Sequence, residues 1–431
     1  MKPSIFIAVV ALAAAPARAD APAKLTFSSA IELALGQNPD IAIAREGVAG
    51  ADAQAAGARA RRLPVLSIEA QGSLYREPYA LPFGGMTFTL YHRDTTATSI
   101  TVSEPLTGLA YLSELVGAAE HAAAASRDDY DRVRLDTAYR TADAYIRVLE
   151  ARASADVAHR SVTDIQSELD RAIQLRAADT YTDIDVLRFR SAKAAADQGA
   201  LRADTAAETA LASLVLQLGL HDGAAIDVAD DLPATPPAMA MTLDQALARA
   251  IAARPELRAA HDQIEAAEHT RKSARDALLP DIRAVAVWTH LTGVQPFEPE
   301  DAEFLGVRVS WNIWDWGSTY DAEREARASV HRAELTAQSL VDQVRLDVRT
   351  RWLDARTAFD SLAAAQTQQQ TADEALRLQK VRFDAAAATT TDVLDAETDA
   401  AKARLAFAVA RYDYYLALVA LARSVGDLPS R

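Results

Sequence analysis

The chain contains itself twice. Thr26-Phe27-Ser28-Ser29-Ala30 returns as Thr242-Leu243-Asp244-Gln245-Ala246, and Asn38-Pro39-Asp40 returns as Arg254-Pro255-Glu256, both 216 positions on. Leu63-Pro64 and Leu279-Pro280 keep that offset. From Val102-Ser103 and Val309-Ser310 onward the offset is 207: Tyr145 matches Trp352, Asp185-Val186-Leu187 matches Asp392-Val393-Leu394, and Gly219 matches Gly426. Alanine-rich sequence imitates a few such matches, but not the Pro, Asp and Gly ones together, so both halves are expected to fold into one kind of unit. The first copy is nine residues longer between Pro64 and Val102, which places an exposed loop there. The copies read as residues 20–220 and 242–431, joined by a proline-bearing connector at 221–241.

Each copy opens with short helices. Thr26 or Ser28 caps a helix reaching about Gln37, and Pro39 starts a second that runs to about Arg62 before Pro64 ends it. Pro255 and Pro280 do the same in the second copy. Then the period changes. Leu66, Ile68, Ala70, Gly72 and Leu74 alternate with Val65, Ser67, Glu69, Gln71 and Ser73; Ile282, Ala284, Ala286 and Trp288 alternate with Arg283, Val285, Val287 and Thr289. Ile100 with Val102, and Leu305 through Trp311, continue the pattern on the return segments. Period two predicts strands within about 65–104 and 281–313, turning at Gly84-Gly85 and at Gly293 with Pro296. That gives one hairpin per copy and four strands per chain.

Long helices are expected next, at about 109–218 and 317–426. Neither Gly nor Pro occurs from Ser318 to Val425, and alanine, the best helix former, fills 96 positions. The stretch from Gly317 to Asp384 would span about 100 Å at 1.5 Å per residue. Ala333, Ala337, Leu340, Val344, Val348, Ala355, Phe359 and Leu362 recur along it at helical spacing. After a break near 385–391, Leu394, Thr398, Ala401, Leu405, Ala408, Tyr412, Tyr415 and Val419 step by four and three, the pattern of a coiled-coil seam.

Lys2, the apolar run Ile5–Ala15 and Ala17-Arg18-Ala19 fit a signal peptide over residues 1–19. No later window holds eighteen unbroken apolar residues, so a membrane-resident chain must cross through strands. Four strands are too few: bacterial barrels need at least about eight, and open edges do not sit in lipid. Identical chains would have to pool their strands around a rotation axis, with two chains giving eight and three giving twelve. Helices would project from one end, and the product is a tube. A net charge of −15 disfavours nucleic acid. The absence of cysteine removes thiolate chemistry. The eight histidines form no HExxH, and there is no GxSxG or phosphate loop. An enzyme is not expected, nor any cofactor or metal site.

Leu25-Thr26-Phe27 with Ala30, Ala34-Leu35, Asn38-Pro39, Leu63-Pro64, Val309-Ser310-Trp311-Asn312-Ile313-Trp314-Asp315-Trp316-Gly317, Asp392-Val393-Leu394-Asp395-Ala396-Glu397 and Ala410-Arg411-Tyr412-Asp413-Tyr414 occur in order. Together they resemble the TolC-like outer-membrane efflux proteins (outer membrane factors) over essentially the whole mature chain. The resemblance implies a mainly α fold with a β-barrel portion, in which three chains share a twelve-stranded barrel on a periplasmic α-helical barrel. It implies an export duct in the outer membrane that docks a periplasmic adaptor and an inner-membrane pump of the RND or ABC type. A single-hairpin periplasmic adaptor, or a coiled-coil structural protein of the envelope, is the competing reading.

Asp392 and Asp395 lie one helical turn apart beside the break. The resemblance implies that they ring a closed periplasmic mouth, with Asp183 and Asp185 as first-copy candidates. Solvated carboxylates near a helix N-terminus are the plainer alternative. Family tips usually carry a Gly six residues before Asp-Val-Leu, where this chain has Ala386 and Asp179; a latching Arg would fall at Ala388. Ala386, Ala387, Ala388, Asp179 and Thr180 are candidates for adaptor contact, or simply for a tight turn. Trp311, Trp314 and Trp316 are candidates for the membrane interface or for packing where strand meets helix.

Overall fold

The computed structural model describes residues 24–178, 181–221, 223–294, 299–385 and 387–428. The expected signal peptide and Pro296 lie outside the described residues. Helix α1 (Phe27–Gln37) is closed by a capping box in which Thr26 and Ser29 exchange hydrogen bonds, and α2 (Pro39–Ala60) begins on its proline. Helices α5 (Leu243–Ala253) and α6 (Pro255–Asp276) repeat this, with Thr242 and Gln245 forming the box. The residues before the two prolines differ in type but do the same work. Asn38 Nδ2 donates to Gln217 O at 2.8 Å, and Arg254 Nη1 reaches Ser424 O at 3.5 Å.

Four longer helices form the body: α3 (Gly108–Ala177), α4 (Asp183–Gln217), α7 (Ser318–Asp384) and α8 (Thr390–Ser424). The 70 residues of α3 and the 67 of α7 each extend about 100 Å at the α-helical rise. Helix α3 packs on α4 and α7 on α8; α2 and α6 both lie along α3, which also meets α8. Alone among the described helices, α8 is long and apolar enough to cross a bilayer by composition. It lies instead along α7 and α3, with Val393, Ala400, Ala403 and Tyr412 buried.

Away from the tip the seam on α8 lies where expected, with Tyr412, Tyr415 and Val419 buried in the main core; toward the tip it is displaced. The buried positions near the tip are Thr390, Val393, Glu397, Ala400 and Ala403. Leu394, Thr398, Ala401 and Leu405 instead line an open groove of about 360 Å³ facing α3 and α4. The true stripe carries a glutamate, so apolar spacing alone selects its neighbour.

The strands are β1 (Lys24–Leu25), β2 (Val65–Leu74), β3 (Tyr79–Phe83), β4 (Met86–Pro105), β5 (Asp227–Val228), β6 (Asp281–Val294) and β7 (Asp301–Ser310). One antiparallel sheet runs β2-β4-β6-β7, with β3 pairing the outer part of β4. The expected first hairpin is therefore present with its outgoing arm broken in two, and Gly84 and Gly85 (φ 61° and 83°) turn it. The added length of the first copy is the ribbon β3–β4.

The pair β1-β5 is parallel and only two residues long, and its second strand lies within the connecting segment 221–241. That segment packs on the helices. Val228 and Leu232 join the main core with Phe27, Tyr145, Leu214 and Tyr412. Tyr414 Oη donates to Pro237 O at 2.8 Å, and Tyr415 Oη to Pro233 O at 2.6 Å.

Candidate functional site

The sheet has two unlike faces. Register places Leu66, Val102, Ala286 and Leu305 in one row, and Ile68, Ile100, Trp288 and Glu303 in the next on the same side, Glu303 being the one charge in these two rows. Leu66 is 66% exposed and Leu305 83% exposed. The opposite side carries Ser67, Thr101, Val287 and Phe304, then Glu69, Ser99, Thr289 and Ala302. An apolar face held open to solvent costs stability in water. Among the described residues both outer strands, β2 and β7, have a neighbour on one side only.

Trp311 falls just beyond β7, and its Nε1 donates to Leu278 O at 3.2 Å. Trp314 and Trp316 meet edge to face at 5.6 Å, 76% and 87% exposed. Trp316 adopts φ 58° and Gly317 φ 88°. The left-handed turn is unfavourable for a bulky residue and is held by Asp315, which accepts from Thr319 N at 2.8 Å, Gly317 N at 3.1 Å and the Thr319 hydroxyl. These bonds, the Thr319 hydroxyl first, keep the Asp315 carboxyl below the usual aspartate range.

At the far end of the helices, Thr182 caps α4 and Thr389 caps α8. Asp185 accepts from Thr182 N and Oγ1 at 3.1 and 2.7 Å, and Asp392 from Thr389 N and Oγ1 at 2.7 and 2.8 Å. Two of the four gate candidates are therefore capping residues as well. Both carboxyls sit below the usual range, Asp185 chiefly through the Thr182 hydroxyl and Asp392 chiefly through the Thr389 amide. Asp183 pairs with Arg176 at 2.7 Å. Asp395 is exposed, one turn beyond Asp392. Ala387 is exposed and Ala388 half-buried, with Ala387 N donating to Arg382 O at 2.8 Å. Ala386, Asp179 and Thr180 lie outside the described residues.

Polar ties, which sequence reasoning missed, join the two tips. Thr390 Oγ1 donates to Asp185 at 2.8 Å, and Arg188 Nη1 to Thr391 Oγ1 at 2.8 Å. Arg171 pairs with Asp384. Lys380 Nζ lies 3.2 Å from Glu168 and 2.5 Å from Glu397, bridging α7 to α3 and α8. Arg404 reaches Asp373 at 2.8 Å and Asp164 at 3.2 Å. Burial pushes the Glu397 carboxyl up against the opposing pull of Lys380, and burial pushes the Tyr181 phenol up to about 12. Asp164 with Arg171, Asp373 with Lys380, and Glu397 with Arg404 are each opposite charges seven residues apart. That heptad signal was available in the sequence.

Among the described residues no group of three His, Cys, Asp or Glu could hold a metal ion. The arrangement offers faces and an end, suited to enclosing a path.

Comparison with known proteins agrees. The model of the family described as outer membrane efflux protein matches residues 30–220 and again 246–427. The chain is similar to the outer membrane efflux protein BepC of Brucella suis biovar 1 (strain 1330), 27% identical over 324 residues, 73% of this chain and 68% of that one. Its fold is that of the outer-membrane channel OprN (TM-score 0.81, 20% identity, 93% of this chain and 89% of that one). It is also that of the outer membrane protein VceC from Vibrio cholerae (TM-score 0.80, 18% identity, 93% and 96%). These relatives are an outer membrane efflux protein, an outer-membrane channel and an outer membrane protein. Mainly helical with one exposed sheet, and matched by the family model in both halves, the chain belongs to the outer membrane efflux protein family.

Proposed function

We propose that three copies close their sheets into a twelve-stranded barrel in the outer membrane. Their helices extend into the periplasm as a second barrel, and the assembly passively conducts solutes from periplasm to exterior. The observation that carries this reading is the larger sheet, with two edges unpartnered among the described residues and one exposed apolar face. Joining β7 of one copy to β2 of the next satisfies both edges, turns Leu66, Ile68 and Leu305 toward lipid, and leaves the polar face as a lumen. Trp311, Trp314 and Trp316 sit at the periplasmic lipid interface. A periplasmic adaptor contacts the tip around Ala386, Ala387, Ala388, Asp179 and Thr180, and an inner-membrane pump of the RND or ABC type supplies the energy.

Asp395 forms the acidic ring of the mouth, with Asp392, Asp183 and Asp185 around it. The ties between hairpins hold that mouth closed, since the apolar cluster there is small: Leu169, Ala172, Val186 and Phe189, with Tyr181 and Leu394 against it. Rings of carboxylates attract cations and bind divalent ions. Planar-bilayer recording tests this. The purified protein is expected to give discrete conductance steps that divalent cations block from the helical side. Asp395→Asn, which leaves the Thr389–Asp392 cap intact, relieves the block about tenfold or more in concentration. Unchanged block removes the gate assignment, and absent steps remove the duct.

A further inference from the structure

We infer that Arg308, with Arg283 beside it, forms an anion-selecting belt at the base of the barrel lumen. This rests on the duct reading above, which makes the polar sheet face a lumen. Arg283 on β6 and Arg308 on β7 are direct cross-strand partners, on the side opposite Val307 and Val309. Like charges set directly opposite each other weaken a sheet, and here only one of the two is compensated. Arg283 Nε donates to Asp281 at 2.7 Å. Arg308 is exposed and has no ion-pair partner among the described residues.

The neighbouring positions of that face are Gly306 and Ser310 on β7, Val285 and Asp281 on β6, and Ser103 and Pro105 on β4; Asp281, across from Ser310, is the one acidic group among them and is paired with Arg283. The next carboxylate on the face, Glu69, belongs to the row of Ser99 and Thr289, about 20 Å along the strand from Arg283 at 3.3 Å per residue. Each chain thus contributes one net positive charge at this level, two residues before β7 ends. In the closed ring every solute must pass three such charges. A guanidinium is a planar cation that meets carboxylate and phosphate bidentately, and low-dielectric walls focus its field into the lumen. The class favoured at this level is small anions, and the carboxylate or phosphate ends of larger solutes, over cations. The acidic mouth lies about 100 Å away along the helices, far beyond the screening length, so the belt acts independently of it.

Full-length protein in planar bilayers under a potassium chloride gradient decides the matter. Arg308→Gln is expected to lower the chloride-to-potassium permeability ratio about threefold at low salt, with the difference shrinking as salt rises. Arg308→Lys keeps the wild-type ratio. Arg308→Gln with Arg283→Gln, which leaves Asp281 uncompensated, carries the ratio further toward potassium. One rival arrangement is specific: in the ring, Glu69 of a neighbouring copy borders β7. If it neutralises Arg308, the wild-type channel shows no preference for chloride at this level, Arg308→Gln turns it cation-selecting and Glu69→Gln raises the ratio above wild type, and the belt is overturned. Conductance steps with a ratio unmoved by Arg308→Gln overturn the belt and leave the duct standing. A wild-type protein without steps overturns both.

Discussion

Lys380 occupies a place that a hydrophobic residue would fill at lower cost. Its amine lies between two carboxylates that are 7% and 4% exposed, those of Glu168 and Glu397. Taking charges out of water is expensive, and the triad is stable only while all three partners are present. Removing the cation strands two buried carboxylates. Lys380→Met is therefore expected to destabilise the lower hairpins by about 3–5 kcal/mol at neutral pH. The pH dependence has a definite sign. Burial already places Glu397 above its unfolded value, and losing the lysine raises it further. A carboxyl raised in the folded state favours folding fully below its unfolded value and loses that contribution as pH rises through the raised one. Lys380→Met should therefore approach wild type near pH 4–5 and diverge most above pH 7. Thermal melts followed by helical circular dichroism at both ends of that range test it, and an equal deficit at both would show that Lys380 acts by packing.

At the scale of helices, the joint between α3 and α6 turns on one glycine. Glu114 and His121 are seven apart on α3, and Asp262 and His269 seven apart on α6. They bond reciprocally, His269 Nδ1 to Glu114 at 2.7 Å and His121 Nδ1 to Asp262 at 2.8 Å, with the two rings stacked at 5.5 Å. A Cβ on Gly117 would stand 2.7 Å from the His269 ring. Gly117→Ala gains about 1 kcal/mol of helix propensity. It can keep that gain only by moving a ring that is held by a carboxylate and a stack. The expected net result is a loss of about 1–2 kcal/mol, seen as a lower midpoint of thermal unfolding. A raised midpoint would mean the clasp is slack.

The same scale shows what was legible. Strands with one apolar face were readable because their period is long enough to count, and long helices because nothing interrupts them. The strands Lys24–Leu25 and Asp227–Val228 were not, since two residues have no period and their partner is tertiary. Near the tip the α8 seam was misplaced by one position because Glu397 and Arg404 are charged members of the inner stripe, whereas Tyr412, Tyr415 and Val419 were placed correctly. The tip was half-legible: Thr-x-x-Asp at Thr182 and Thr389 is a capping pattern, and in the structure the cap claims Asp185 and Asp392.

For the whole molecule, the proposed ring makes a geometric demand that one chain cannot meet. β2 and β7 are opposite edges of the sheet, three strand spacings apart, or about 14 Å. A disulfide needs Cα atoms within about 7 Å, so no bond can form between those edges inside one copy. The chain has no cysteine of its own, so any cross-link comes from introduced residues. One cysteine placed along β2 at Ser67, Ala70 or Gln71, combined with one along β7 at Ala302, Gly306 or Ser310, samples the register between copies. At least one pairing is expected to oxidise into covalent dimers and trimers in outer-membrane fractions, stopping at three chains because the ring closes. Single-cysteine controls should stay monomeric on denaturing gels, since each edge meets its opposite rather than itself. Ladders beyond three would mean an open, non-closing array. If every pairing stayed monomeric, the two edges would be covered by something other than each other, and the twelve-stranded barrel would have to be given up.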